Sequence, residues 1–381
     1  MARAVLFLED GTIFEGCQAG ALKESAGEVV SDTSVGGYLE IITNPSSSGR
    51  IVSLCYPEAG AYGINTDDAE SGGVKAAGLV MKHMSRLPNN WRSKKSLNEY
   101  LSDSAVPAIS GVDTRALFRL LRKNGPMAGI ISSKDFNPAS LLKKIYLWKE
   151  QQSKPVSPVA KEYPWPSSKC IEPLKLFNKE KKYLAFTANK KGYKVAVIDI
   201  GVKESLLRIL ASSGFKVKVF PVSKMSSLSL FKPQGIVVSN GPETMKTVSE
   251  VSAAIKPLLG KVPVMGIETG AAVVAAALGA KVFRMKTGHR CSNHSVKNLI
   301  SGAVEVVAQS HGLGVEPASL KNLKPAAKVT HINLNDTDVE GFECPALKAF
   351  GVFYYPAPWP GAHNAGFVIG KFINNMKKGG K

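Results

Sequence analysis

From Lys194 onward, short continuous apolar runs alternate with amphipathic stretches, and this restricts the second half of the chain to a largely parallel sheet covered by helices. Val195-Ala-Val-Ile198 is apolar on successive residues, as a strand buried on both faces must be. A helical pattern follows over 205–212, strands over 216–220 and 235–240, a helix over 248–259, a strand over 262–267 and a helix over 270–278. Strand–helix–strand repetition of this kind predicts a doubly wound α/β domain with its site at the carboxyl ends of the strands. No G-x-G-x-x-G and no P-loop lysine motif occurs, so nucleotide binding is not supported.

The first ~130 residues are richer in strand signals. Ala4–Leu8 and Thr12–Gly16 flank Asp10-Gly11, which supplies the positive φ of a tight hairpin turn. Further strands are expected over 27–33, 40–43 and 51–55, and helices over 97–102 and 114–123, the second with Leu117, Leu120 and Leu121 on one face. Between 136 and 193 the composition shifts. Positions 143–194 hold 13 lysines against four glutamates, with prolines at 155, 158, 164, 166 and 173. This reads as an exposed linker, with Trp148 and Trp165 arguing that parts of it pack on a domain. The expected division is therefore 1–135, a linker over 136–193, and 194–381.

A chain of 381 residues with 44% hydrophobic content fits two globular domains. No apolar run approaches the ~20 residues needed to cross a bilayer, and Glu9 and Asp10 break the N-terminal apolar stretch before it resembles a signal peptide. Five scattered cysteines (17, 55, 170, 291 and 344) suggest neither a disulfide framework nor a zinc site. A reducing compartment is expected, the cytoplasm or an organelle interior after loss of a presequence. The formal charge of +19 is the outlier. It reads as a solvated basic surface or, alternatively, as a polyanion-binding one.

Three segments at expected strand ends draw attention: Ser239-Asn-Gly-Pro242, Gly266-Ile-Glu-Thr-Gly270 and Gln309-Ser-His-Gly312. The second runs a strand through a glycine-flanked turn into a helix, the setting of a nucleophile elbow. A cysteine there would be activated by the helix dipole. The residue present is Glu268, whose negative charge suits a helix N-terminus.

Motifs along nearly the whole chain resemble the small subunit of carbamoyl phosphate synthetase, a class I glutamine amidotransferase. In the first half they are Leu8-Glu-Asp-Gly-Thr12, Gly27-Glu-Val-Val30, Thr33-Ser34, Gly37-Tyr38, Asn44-Pro45-Ser46 and Gly111-Val-Asp-Thr-Arg115. In the second half they are Ser239-Asn-Gly-Pro242, Gly279-Ala-Lys281, Met285-Lys286, Gly288-His289, Asn293-His294 and Val296-Lys297. The resemblance implies a small-subunit N-terminal domain followed by a flavodoxin-like amidotransferase domain. It also implies a cysteine nucleophile, a histidine and an orienting glutamate, with ammonia passed to a large, ATP-using subunit.

By the same resemblance the elbow cysteine falls on Glu268, and the family's Gly-His-Pro-Glu segment places Tyr355 at the histidine and Ala357 at the glutamate. Former glutamine-binding positions are Ser46, Gly241, Glu243, Thr269, Ala272, Ser310, Gly312 and Leu313. A carboxylate is a poor nucleophile toward an amide, and no imidazole faces it to move protons. His289, His294, His311, His363, Cys291 and Thr269 form no convincing substitute triad, and glutaminase chemistry is not expected. No cofactor and no metal is expected.

Three functions remain in view. The first is a non-hydrolysing small subunit docked on a carbamoyl phosphate synthetase large subunit. The second is a basic structural protein in a ribonucleoprotein, suggested by the charge, the lysine-rich segment and the tail at Lys377, Lys378 and Lys381. The third is a new reaction with Glu268 as general acid or base, for which the sequence names no partner group.

Overall fold

In the computed structural model, which describes residues 2–153, 192–356 and 367–378, the Asp10-Gly11 pair turns the first hairpin. Gly11 sits at φ 88°, accessible to glycine without steric penalty, and the Thr12 amide donates to Asp10 Oδ1 at 2.9 Å. The turn joins β1 (Arg3–Leu8) to β2 (Ile13–Gly20), with Leu6 opposite Phe14. The chain divides into two units, Met1–Ser157 and Pro158–Lys381.

In the first unit, β3 (Ser25–Asp32) leads to α1 (Tyr38–Thr43) and β4 (Arg50–Leu54). After β5 (Glu58–Ala59) come β6 (Gly78–Met81), β7 (His83–Met84), α2 (Leu97–Asp103), β8 (Pro107–Ser110), α3 (Thr114–Asn124) and β9 (Met127–Ser132). Seven of these strands close a barrel in the order β1-β2-β8-β6-β4-β3-β9. Leu6, Val29, Ile51, Val80 and Ile109 are buried together with Leu117 and Leu121 of α3. Capping fixes the helix starts: Ser96 and Glu99 form a capping box on α2, and Asp113 accepts the Ala116 amide on α3.

Two sequence expectations fail here. The stretch 40–43, read as a strand from its β-branched run, is part of α1. Burial of Tyr38, Leu39 and Ile42, three residues on one face at helical spacing, outweighs the local strand preference. The linker expected from 136 begins instead with α4 (Pro138–Ser153). Leu141 and Ile145 of α4 are buried against Val5, Phe7, Ala128 and Ile130, with Trp148 packed beside them. Lysines and prolines dominated the composition of this region and hid an apolar stripe at i, i+4 and i+7. Residues 154–191 of the lysine-rich stretch, including Trp165, lie outside the described residues, as do Ala357 and His363.

The second unit holds the alternation that opened the sequence. β10 (Lys194–Asp199), α5 (Glu204–Ser212), β11 (Lys216–Pro221), α6 (Leu228–Phe231), β12 (Gly235–Val238), α7 (Met245–Ile255), β13 (Val264–Ile267) and α8 (Thr269–Leu278) follow in turn. A long hairpin, β14 (Val282–Asn298) and β15 (Val304–Val315), precedes α9 (Pro317–Lys321), β16 (Lys328–Asn333), β17 (Val339–Cys344), β18 (Ala349–Val352) and α10 (Phe367–Lys378). They form one nine-stranded sheet, β11-β10-β12-β13-β18-β17-β16-β14-β15. The first five are mutually parallel and the last four antiparallel. Residues of α7 and α8 pack on one face of the sheet and those of α5 and α10 on the other, the doubly wound arrangement. No helix among the described residues is long and apolar enough to cross a membrane.

An electrostatic clasp holds α4 to its unit. Lys144 Nζ lies 2.7 Å from Glu24 Oε2 and 2.9 Å from Asp135 Oδ2. Burial opposes the charge on Glu24, but Lys144 and the Ser132 hydroxyl outweigh it and lower its carboxyl. Lys144 and then Ser140 hold Asp135 well below its ordinary range. Both carboxyls are lowered by folding, so their contribution is present at neutral pH and lost as pH falls through the lowered values. Lys144→Ala should lower the unfolding temperature of the first unit at pH 7, with the deficit shrinking as pH drops from about 5 to about 2. A deficit independent of pH in differential scanning calorimetry would contradict the clasp.

Candidate functional site

The elbow is built from crowding. β13 ends at Ile267, α8 starts at Thr269, and Glu268 between them adopts φ 50°, ψ −114°, a conformation costing of order 1–3 kcal/mol outside glycine. A Cβ on Gly266 would lie 2.3 Å from the Gly270 carbonyl oxygen, and one on Gly270 would lie 2.1 Å from that of Val238. Only glycines allow strand and helix to approach so closely. The turn is held by the Glu268 amide donating to the Val352 carbonyl on β18 at 2.9 Å.

Glu268 is fully buried. Glu268 precedes α8 at its N-terminus, and its carboxylate forms no side-chain cap there. It reaches across to β15, where Oε1 accepts the Ser310 amide at 2.8 Å. Oε2 has no hydrogen-bond partner among the described residues. Burial pushes the carboxyl up from its ordinary value, opposed by Lys203 and His311 and reinforced by Glu243.

Tyr355, just past β18, is also buried, and its amide donates to the Ala308 carbonyl on β15 at 2.8 Å. Its hydroxyl is 2.8 Å from Ser205 Oγ on α5. The ammonium of Lys203 stands 3.8 Å from the centre of its ring, a cation–π contact in a site that leaves Lys203 4% exposed. Glu243, in the loop after β12, pairs with Arg290 of β14 at 3.1 Å, and both side chains are nearly buried. A Cβ at Gly312 would lie 2.9 Å from Glu243 Oε2 and 3.0 Å from Arg290 Nη2, so this glycine makes room for the pair.

The other positions singled out from sequence fall as follows. Thr269 donates its hydroxyl to the Gly241 carbonyl at 2.8 Å, and a Cβ at Gly241 would meet the Ile200 carbonyl oxygen at 1.9 Å. Ala272 and Leu313 belong to the apolar core under the sheet. Gln309–Gly312, expected as a loop, lies inside β15 and pairs with β14. Glu268 and Ser310, Thr269 and Gly241, and Glu243 and Gly312 are thus brought together in pairs, while Tyr355 contacts Ser205, Lys203 and Ala308. Ser46 belongs to the first unit, where its carbonyl accepts from Arg50 at 2.7 Å.

His311, His294 and His289 are engaged with other partners. His311 Nδ1 bonds the Leu313 carbonyl at 2.9 Å, His294 Nδ1 bonds Gln309 at 2.9 Å, and His289 lies between Asp336 and Glu340 at 2.7 and 2.9 Å. Cys291 donates to Asn293 Oδ1 at 2.7 Å. Among the described residues, no hydrogen bond from an imidazole to Glu268 is found, and the acceptor Oε1 takes the Ser310 amide. Sequence reasoning missed Lys203, Ser205 and Arg290. Lys203 and Ser205 sit at the start of an amphipathic helix, and nothing local marks that they reach a tyrosine 150 residues away.

A family model described as the carbamoyl-phosphate synthase small chain, CPSase domain, matches residues 6–131, and one described as class-I glutamine amidotransferase matches residues 196–374. The carbamoyl phosphate synthase small chain of Syntrophotalea carbinolica is 39% identical over 99% of this chain and 98% of its own length. The chain belongs to the carbamoyl phosphate synthase small-chain family. Other members of this family are the pyrimidine-specific small chain of Bacillus subtilis, 38% identical over 98% of this chain and 95% of its own, and the chloroplastic small chain of Oryza sativa, 37% identical over 99% and 83%.

Glu268→Ala removes the acceptor of the Ser310 amide and should destabilise the second unit by ~1–3 kcal/mol. Glu268→Gln keeps an acceptor there and should cost less. Chemical denaturation of the full chain checks this, and an Ala variant as stable as the unchanged chain would show that the carboxylate holds nothing together.

Proposed function

We propose that this chain is a carbamoyl phosphate synthetase small subunit that docks on the large, ATP-using subunit but does not hydrolyse glutamine, so that the assembly draws on free ammonia. The observation that carries the proposal is Glu268: at the elbow, where the family resemblance places the nucleophilic cysteine, stands a carboxylate already engaged with the Ser310 amide. Tyr355, at the position the resemblance gives to the histidine, has a phenol bound to Ser205 and no ring nitrogen to take or return a proton. A carboxylate attacking an unactivated amide without a general acid for the leaving amine gains little over water.

The family match through both halves supports retention of the docking role. The positions the resemblance assigns to nucleophile and base carry side chains bound to neighbouring groups, Glu268 to the Ser310 amide and Tyr355 to Ser205 and Lys203. Such a subunit stabilises its partner and tunes its use of ammonia.

The test is reconstitution with a carbamoyl phosphate synthetase large subunit from the same source. Carbamoyl phosphate formation should proceed with ammonium and stay at background with glutamine. Glu268→Cys alone should also stay at background, because a nucleophile without its base recovers little of a triad's rate. Glutamine-dependent synthesis by the unchanged chain would overturn the proposal, as would failure to form a complex with the large subunit.

A further inference from the structure

Behind the elbow, β14, β15 and β17 bring His289, His311 and Glu340 together. All three are buried, at 5%, 2% and 0% exposure. One donor atom from each lies within 4.8 Å of the others. The far nitrogen of each histidine is already held. His289 Nε2 is 2.7 Å from Asp336 Oδ2, and His311 Nδ1 is 2.9 Å from the Leu313 carbonyl oxygen. A carbonyl only accepts, so His311 donates through Nδ1, and Nε2 is the ring atom left to face Glu340.

That nitrogen lies 3.7 Å from Glu340 Oε2, beyond hydrogen-bond reach. Neither atom has a hydrogen-bond partner among the described residues. Two buried polar atoms thus face each other without a hydrogen bond, a gap that a cation between them would fill. Glu340 Oε1 is oriented by the Asn333 side-chain amide at 2.8 Å and lies 2.9 Å from His289 Nδ1.

We propose that His289 Nδ1, His311 Nε2 and Glu340 form a binding site for a divalent transition-metal ion of the zinc class. Two imidazoles and one carboxylate are a zinc-type donor set. Glu340 turns Oε1 to His289 Nδ1 at 2.9 Å and Oε2 to His311 Nε2 at 3.7 Å, so its carboxylate spans both imidazoles and offers an ion one oxygen or both. Asp336 and the Leu313 carbonyl already provide the outer hydrogen bonds that orient metal-bound histidines. The ion replaces the hydrogen on His289 Nδ1, which leaves to water. It joins three strands of the sheet and fixes the strand segment from which Ser310 donates to Glu268, so its role is structural.

The test uses the untagged full chain, stripped with a chelator and titrated with Zn2+ alone by calorimetry, and with Co2+ followed by its visible absorption. One Zn2+ per chain, a raised unfolding temperature and the intense absorption of four-coordinate Co2+ are expected. His311→Gln and Glu340→Gln should each weaken Zn2+ binding by more than the ~10–100-fold typical of outer contacts, and Asp336→Asn by about that amount. Asp338→Asn should leave binding unchanged, because Asp338 belongs only to a shallower group with His289 and Asp336. No saturable Zn2+ binding and no four-coordinate Co2+ spectrum in the unmutated chain would overturn the proposal. Binding that survives His311→Gln but is lost in Asp338→Asn would equally overturn it.

Discussion

The bond between the Glu268 carboxylate and the Ser310 amide sets the arrangement of the loops around the elbow. A buried carboxylate is stable only where hydrogen bonds and countercharges replace water. Here one oxygen takes a backbone hydrogen bond from β15, and Lys203 and His311 lie close enough to oppose the rise in its affinity for a proton. The strained backbone of the elbow, which the family resemblance associates with presenting a nucleophile, instead turns a charged side chain inward to cross-link two parts of the sheet.

The neighbouring substitutions follow the same logic. Glu243 pairs with Arg290 of β14 over the open space of Gly312. Tyr355 joins the end of β18 to the start of α5 through Ser205 and the Lys203 ammonium. Glu268 Oε1, the Glu243 carboxylate and the Tyr355 hydroxyl are each held by a neighbouring strand or helix, while Glu268 Oε2 has no hydrogen-bond partner among the described residues.

Much of this was legible from local chemistry. Asp10-Gly11 announces its hairpin because only certain residues tolerate the turn, and Val195–Ile198 reads as a buried strand because both its faces are covered. The elbow itself is visible in Gly266 and Gly270, whose missing side chains are required by the approach of strand to helix. What stayed hidden depends on distance along the chain. Glu268 and Ser310 are 42 residues apart, and Ser205 and Tyr355 are 150 apart; no local pattern encodes either pair. The helix at Tyr38–Thr43 was obscured by β-branched residues, and the helix at 138–153 by the lysines on its exposed face. Ser310-His-Gly312 looked like a loop because small and polar residues usually mark one, yet burial by the hairpin partner keeps it in a strand.

The central claim is that the elbow is occupied by the protein's own side chain and closed to glutamine. Equilibrium binding of isotopically labelled glutamine to the purified full chain tests it most directly. The account predicts no saturable binding at millimolar glutamine and no release of labelled ammonia. Saturable binding accompanied by steady ammonia release, abolished in Glu268→Ala, would contradict it.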